Sequence, residues 1–230
     1  MVGIQAAIAH DLFQMIRSEE VPTVDYQVFL SFFEIYGGRC QDLLNNRNRL
    51  NIREDGNGEV VVSDLVEIQA MCVQDMLNII ELGKFSKKLR RMYIYLLCFH
   101  VGNQNRTTHA TESNDESSRS HALCHISLRV GSKLVGKFSL IDLAGSERGS
   151  DTQSNNRQRR MEGAEINKSL LSLKECIRAL DNKEMHVPYR TSKLTLVLKD
   201  SFTRIDTRTV MIATVSPAAS SADHTINTLR

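Results

Sequence analysis

An α/β layered domain is the fold class that this 230-residue chain predicts. Three observations predict it. Strand-like and helix-like stretches alternate along the chain. Residues 162–180 carry one continuous apolar stripe, Ile166, Leu170, Leu173, Ile177 and Leu180, stepping by four and three. The apolar run 138–143 reads as a buried strand that stops at a Gly turn.

Taken in order, residues 5–16 show a helical apolar pattern through Ala6, Ile8, Ala9, Leu12, Phe13 and Ile16. Residues 28–36 are rich in β-branched and aromatic side chains and end at Gly37-Gly38, the signature of a strand closed by a turn. A second strand, 59–65, follows the hairpin signal Asp55-Gly56. Residues 69–82 predict a helix with Met71, Val73, Met76, Leu77 and Ile80 on one side. Residues 122–130 and 137–143 form an expected strand pair joined by a turn over 131–136. On the long helix, Lys168, Ser172, Glu175 and Arg178 fall on the face opposite the stripe. Thr191 or Ser192 caps a further helix running to about Phe202, and 209–215 is a final strand stopped by Ser216-Pro217. There is no internal repeat.

Hydrophobic content of 41% and charged content of 24% are those of an ordinary globular protein. The net charge of +2 excludes little, but the basic residues bunch at 84–91, 157–160 and 183–199. Such clusters suit an acidic partner surface as well as a solvated face. Cys40, Cys72, Cys98, Cys124 and Cys176 form no C-x-x-C pair and no zinc spacing, which points to a reducing compartment. The longest apolar run, 92–100, is about half of what a bilayer requires. An intracellular chain without a membrane or nucleic-acid partner is expected.

Residues 84–101 break the local texture. A basic run (Lys87, Lys88, Arg90, Arg91) turns abruptly into Met92-Tyr93-Ile94-Tyr95-Leu96-Leu97-Cys98-Phe99. A basic amphipathic surface insertion and a membrane-surface anchor both fit this composition. A translated intron is the favoured account: Gly83-Lys84 can be encoded by GGTAAG, a splice-donor consensus, and Val101-Gly102 can supply an acceptor.

Two short motifs carry the chemistry. Asp142-Leu143-Ala144-Gly145-Ser146-Glu147-Arg148 places a carboxylate at a strand end just before a Gly. Such an Asp can hold a Mg²⁺-bound water, and such a Gly lets its backbone N–H approach a γ-phosphate. Ser117-Ser118-Arg119-Ser120-His121 opens on two adjacent hydroxyls for metal and phosphate, then an Arg able to pair with Glu147. Nothing in the 230 residues reads Gly-x-x-x-x-Gly-Lys-Ser/Thr.

Asn114-x-x-Ser117-Ser118-Arg119-Ser120-His121 and Asp142–Glu147, in this order, resemble the two switches of kinesin motors. The resemblance continues through Asn167-Lys168-Ser169-Leu170, the stretch 186–195 and the stretch 224–230, covering about four-fifths of the chain. Phe32-Phe33-Glu34-Ile35-Tyr36, Arg53-Glu54-Asp55-Gly56 and Lys174-Glu175-Cys176 are similar to the internal-motor, microtubule-depolymerising kinesins (kinesin-13).

The resemblance implies a three-layer α/β motor domain whose central mixed sheet carries helices on both faces, here without its N-terminal strands. It implies ATP and Mg²⁺ as ligands. Ser117 and Ser118 would contact γ-phosphate and Mg²⁺, with Asn114 supporting the same loop. Asp142 would hold a metal water, Gly145 would sense the γ-phosphate, and Arg119 with Glu147 would close the site. Tubulin would be met by Arg157, Arg159 and Arg160, by Lys168, Lys174, Glu175, Cys176 and Arg178 on the long helix, and by Arg190, Lys193 and Lys199. His121 has a place beside the first switch, either packed and hydrogen-bonded or near phosphate.

The family's amino-terminal third, with its phosphate loop, has no counterpart here, and Met1 reads as a mis-called start. The expected function is therefore the larger part of an ATP-hydrolysing tubulin depolymerase, with a non-hydrolysing tubulin binder or an inactive truncated product as alternatives. The expected location is the microtubule cytoskeleton of the cytoplasm, including the spindle.

Overall fold

The computed structural model describes residues 2–18, 24–84, 119–145, 157–218 and 221–229. The texture break at 84–101 lies outside them beyond Lys84. The chain divides into two compact units, Met1–Arg53 with Val62–Ala144, and Glu54–Val61 with Gly145–Arg230.

A seven-stranded sheet lies for the most part in the first unit. Its strands are β1 (Tyr26–Tyr36), β2 (Arg39–Asp42), β3 (Arg49–Glu54), β4 (Val60–Ser63), β5 (Ile68–Ala70), β6 (His121–Val130) and β7 (Lys133–Asp142). The order is β4-β3-β2-β1-β6-β7, and β5 also pairs with β1. The expected mixed sheet is antiparallel in each of its registered pairs. Its spine is the β1–β6 ladder, running from Tyr26↔Val130 to Ile35↔His121.

Because side chains alternate across a strand, Val28, Leu30 and Phe32 share one face with Cys124, Ile126 and Leu140. Against that face pack Ala9 and Phe13 of α1 (Val2–Ile16) and Met76, Ile79, Ile80 and Leu82 of α2 (Val73–Lys84), forming the core. Helix α2 lies directly on the sheet at Gly83. A Cβ there would stand 2.0 Å from Cδ1 of Phe32, so only Gly fits.

Two expectations change here. Residues 69–70 belong to strand β5 rather than a helix, because Ile68 and Ala70 pair with Leu30 and Val28 and this ladder outweighs the helical period. The Asp75 carboxylate then accepts the Met71 N–H at 3.0 Å and marks the real start of α2. The β6–β7 turn is only Gly131-Ser132, with Gly131 at φ +56°; Gly136 lies inside β7, near the register shift at Leu128/Arg129.

The turn after β2 hangs on one carboxylate. Asp42 is fully buried; its Oδ1 accepts the N–H groups of Leu44 (2.8 Å) and Asn45 (3.1 Å), and its Oδ2 accepts that of Val66 (2.9 Å). This brace holds Asn46 and Arg47 at φ 52° and 56°, in the left-handed region.

In the second unit, α3 (Arg157–Asp181) is the long helix the stripe predicts. Its buried face differs from the expected one. Ser169, Ser172, Leu173, Cys176 and Ala179 turn inward, while Ile177 is 38% and Leu171 55% exposed. Ser169 and Ser172 satisfy their hydroxyls on the helix's own carbonyls of Ile166 and Lys168, so these short side chains can be buried. A 3₁₀ turn (Tyr189–Thr191) leads into α4 (Lys193–Thr203). Ser192 caps α4 in a reciprocal box with Thr195, which takes the place of the usual Glu. A short α5 spans Ala222–Leu229.

Residues 209–215 form no strand. Val210, Met211, Ile212 and Val215 are exposed, and a strand exists only where a neighbour completes its ladder.

Candidate functional site

The two motifs meet at one end of the sheet in the first unit. β6 begins at His121 and β7 ends at Asp142, with Ala122 opposite Asp142. The first motif enters the sheet where the second leaves it. Ser120 and His121 are buried, Arg119 is half-buried, and Asp142 is exposed at the strand end. Asn114, Ser117, Ser118 and Glu147 lie outside the described residues, so the Ser117/Ser118 hydroxyls and the Arg119–Glu147 pair are not placed.

One hydrogen bond ties the motifs together. The buried N–H of Ala144 donates to Nδ1 of His121 at 3.0 Å. A ring that accepts at Nδ1 carries its proton on Nε2. Burial pushes the His121 pKa down to about 4, so the ring stays neutral at neutral pH. Four residues on, burial and then the Lys137 charge push His125 down to about 3; its ring meets Phe33 edge-on at 5.2 Å. Of the two roles expected of His121, the structure shows the packed, hydrogen-bonded one.

The cationic residues occupy the second unit. Lys168, Lys174 and Arg178 are exposed on α3, around Leu171, with Glu175 beside them. No ion pair joins these three cations to an acid among the described residues. Arg157, Arg159 and Arg160 open the same helix; their backbones alone are described. Cys176 departs from expectation. It is fully buried, and burial, then the Glu175 charge, raises its thiol pKa, so it packs inside and offers no surface to a partner.

Arg190, Lys193 and Lys199 are a different matter. Lys193 is half-buried at the start of α4. Arg190 pairs with Glu54, and the Lys199 ammonium donates to Glu54 Oε1 and to the Gly58 carbonyl, each at 2.8 Å. The Lys199 and then Arg190 hydrogen bonds hold the Glu54 carboxyl below its ordinary pKa. The hairpin tip 54–61 is further tied to α4 by the Val60 N–H on Asp200 (3.4 Å), and an Arg204–Glu59 pair lies beside it at 3.5 Å. Glu54 was not legible as an anchor. Its partners lie 136 and 145 residues away, and no local pattern signals them.

An α/β domain with an antiparallel sheet, two loop motifs at one sheet end and a cation-bearing helix is the class these features define. The family described as Kinesin motor domain matches residues 1–94 and 88–230; the two stretches meet inside the texture break. The chain is 50% identical over 231 residues to "Diatom spindle kinesin-1" of Cylindrotheca fusiformis, covering 100% of this chain and 33% of that protein. Among solved structures, a kinesin motor ATPase from a study of activation mutants aligns at TM-score 0.70 and 28% identity, over 97% of this chain and 62% of the other. The C-terminal motor and motor homology domain of Kar3Vik1, fused to a synthetic coiled coil, aligns at 0.73 and 30%, over 98% and 55%. The chain belongs to the kinesin motor domain family, and its fold is the kinesin-type α/β fold. It spans about a third of the length of the curated relative it matches.

Proposed function

We propose that this chain is the microtubule-binding part of an ATP-driven kinesin motor. The observation that carries the reading is the exposed trio Lys168, Lys174 and Arg178 on α3, with no acidic partner among the described residues, in a chain of this family. Polymerised tubulin presents an acidic surface, and like-signed cations that lack partners of their own are what such a surface attracts. Arg157, Arg159, Arg160 and Lys193 would meet the same acidic surface. Arg190 and Lys199 are bonded to Glu54 and hold the hairpin tip.

In the whole motor, Ser117, Ser118, Asn114, Asp142 and Gly145 would bind nucleotide phosphates, and Arg119 with Glu147 would close over them. Mg²⁺ would be held by Ser118 and, through water, by Asp142. The described part of this donor set is one exposed carboxylate, which suits a metal held mainly by water and phosphate. When bound, the ion neutralises phosphate charge.

With no Gly-x-x-x-x-Gly-Lys-Ser/Thr in its sequence, the 230-residue chain by itself binds tubulin without turning over ATP. Co-sedimentation tests this. At low ionic strength the purified chain should pellet with microtubules whether or not ATP is added; a chain that stays in the supernatant contradicts the reading. The spindle kinesin of the diatom supports spindle or other cytoskeletal microtubules as the location.

The finer assignment is a kinesin-13-like depolymerase. It rests on Phe32–Tyr36, Arg53–Gly56 and the triplet Lys174-Glu175-Cys176, of which Lys174 and Glu175 are exposed side by side. In the whole motor, Lys174→Ala with Glu175→Ala should weaken depolymerisation more than ATP binding. Equal loss of both would count against placing that pair on tubulin.

A further inference from the structure

We propose that His121 is a positioning residue for the second switch: its Nδ1 holds the Ala144 N–H and so sets where the next peptide unit, Gly145, presents its own N–H. The role of Gly145 toward phosphate rests on the function proposed above; the hold on Ala144 does not.

Three observations build this. First, the bond is buried at both ends: His121 is 2% and Ala144 5% exposed, with 3.0 Å between the nitrogens. A buried N–H that loses its acceptor has no water to turn to, so the loop's path depends on the ring. Second, the bond lies just past the last registered pair of the ladder, Ala122↔Asp142. Beyond that pair the sheet no longer dictates the course of Leu143 and Ala144, and the side chain takes over from the backbone. Third, His121 sits on β6 directly after Ser120, so whatever moves the first motif moves the ring, and the ring moves Ala144. The two motifs are thus coupled by a contact separate from the Arg119–Glu147 pair proposed above. The ring remains an acceptor because burial keeps it neutral.

The test is amide hydrogen exchange of Ala144 in the 230-residue chain, read without nucleotide, so that failure of nucleotide binding leaves it intact. His121→Leu keeps bulk without an acceptor; His121→Asn places an amide oxygen where Nδ1 was. His125→Leu is the control, a second buried histidine on the same strand with no bond to the loop among the described residues. His121→Leu should raise Ala144 exchange at least about tenfold while Ile126 in β6 stays protected. His121→Asn should return it to within about threefold of wild type, and His125→Leu should leave it unchanged. An unchanged Ala144 rate in His121→Leu, or Asn no better than Leu, would overturn the proposal. So would a parallel rise at Ile126, which would mean general loosening.

Discussion

Asp42→Ala should cost about 4 kcal/mol of folding stability. One buried carboxylate accepts three backbone N–H groups, from Leu44, Asn45 and Val66. Alanine leaves all three without an acceptor, at roughly 1–3 kcal/mol each for a buried donor, with the partly buried pair at the low end. It also frees Asn46 and Arg47 from the turn that keeps them at positive φ. A domain whose total stability is of the order of 5–15 kcal/mol loses a large share of it in this way. Asp42→Asn retains one acceptor oxygen and should fall between wild type and Ala. Urea unfolding of the three proteins is the measurement; an Ala variant within about 1 kcal/mol of wild type would show that the brace is not what holds the turn.

The second large effect concerns the outward face of α3. Reversing Lys168, Lys174 and Arg178 together to Glu should lower microtubule affinity by about a hundredfold. Three exposed cations at about 1 kcal/mol each give roughly 3 kcal/mol, and each 1.4 kcal/mol is tenfold. The fold should survive, because all three side chains are exposed and none joins an ion pair among the described residues. Reversing Lys199 would be a different experiment. That ammonium is bonded to Glu54 and Gly58, so its loss would loosen the hairpin tip before it told anything about tubulin.

The fold class was legible because its signals are local. The apolar run of β1, the Gly37-Gly38 turn and the long apolar period of α3 each dictate their element within a dozen residues. What misled was local too. Met71, Val73, Met76 and Ile80 keep a helical period, yet Ile68–Ala70 is drawn into β5 by a ladder with residues some 40 positions earlier in the chain. Residues 209–215 have strand composition but no strand beside them among the described residues, and composition cannot supply a partner. On α3 the apolar stripe implied that Ile177 is buried and Ser172 exposed. The helix reversed this because a serine can spend its hydroxyl on its own backbone and lie close to a neighbour.

The candidate site was legible as two motifs but not as a connected unit. Nothing local pairs His121 with Ala144; the β6–β7 register brings them together. The same holds for Glu54, a surface acid by its neighbours and a double anchor by its distant partners.

The proposed contact of this chain with microtubules runs through the cations of α3. Co-sedimentation across a salt titration tests it, with wild type and the triple Glu variant side by side. Surface electrostatics weaken as the screening length shortens from about 10 Å at 0.1 M salt to about 3 Å at 1 M. The expected result is wild-type pelleting that falls steeply with salt, and a variant that pellets weakly from the start with a shallower slope. Equal pelleting of the two proteins, or binding that does not change with salt, would contradict it.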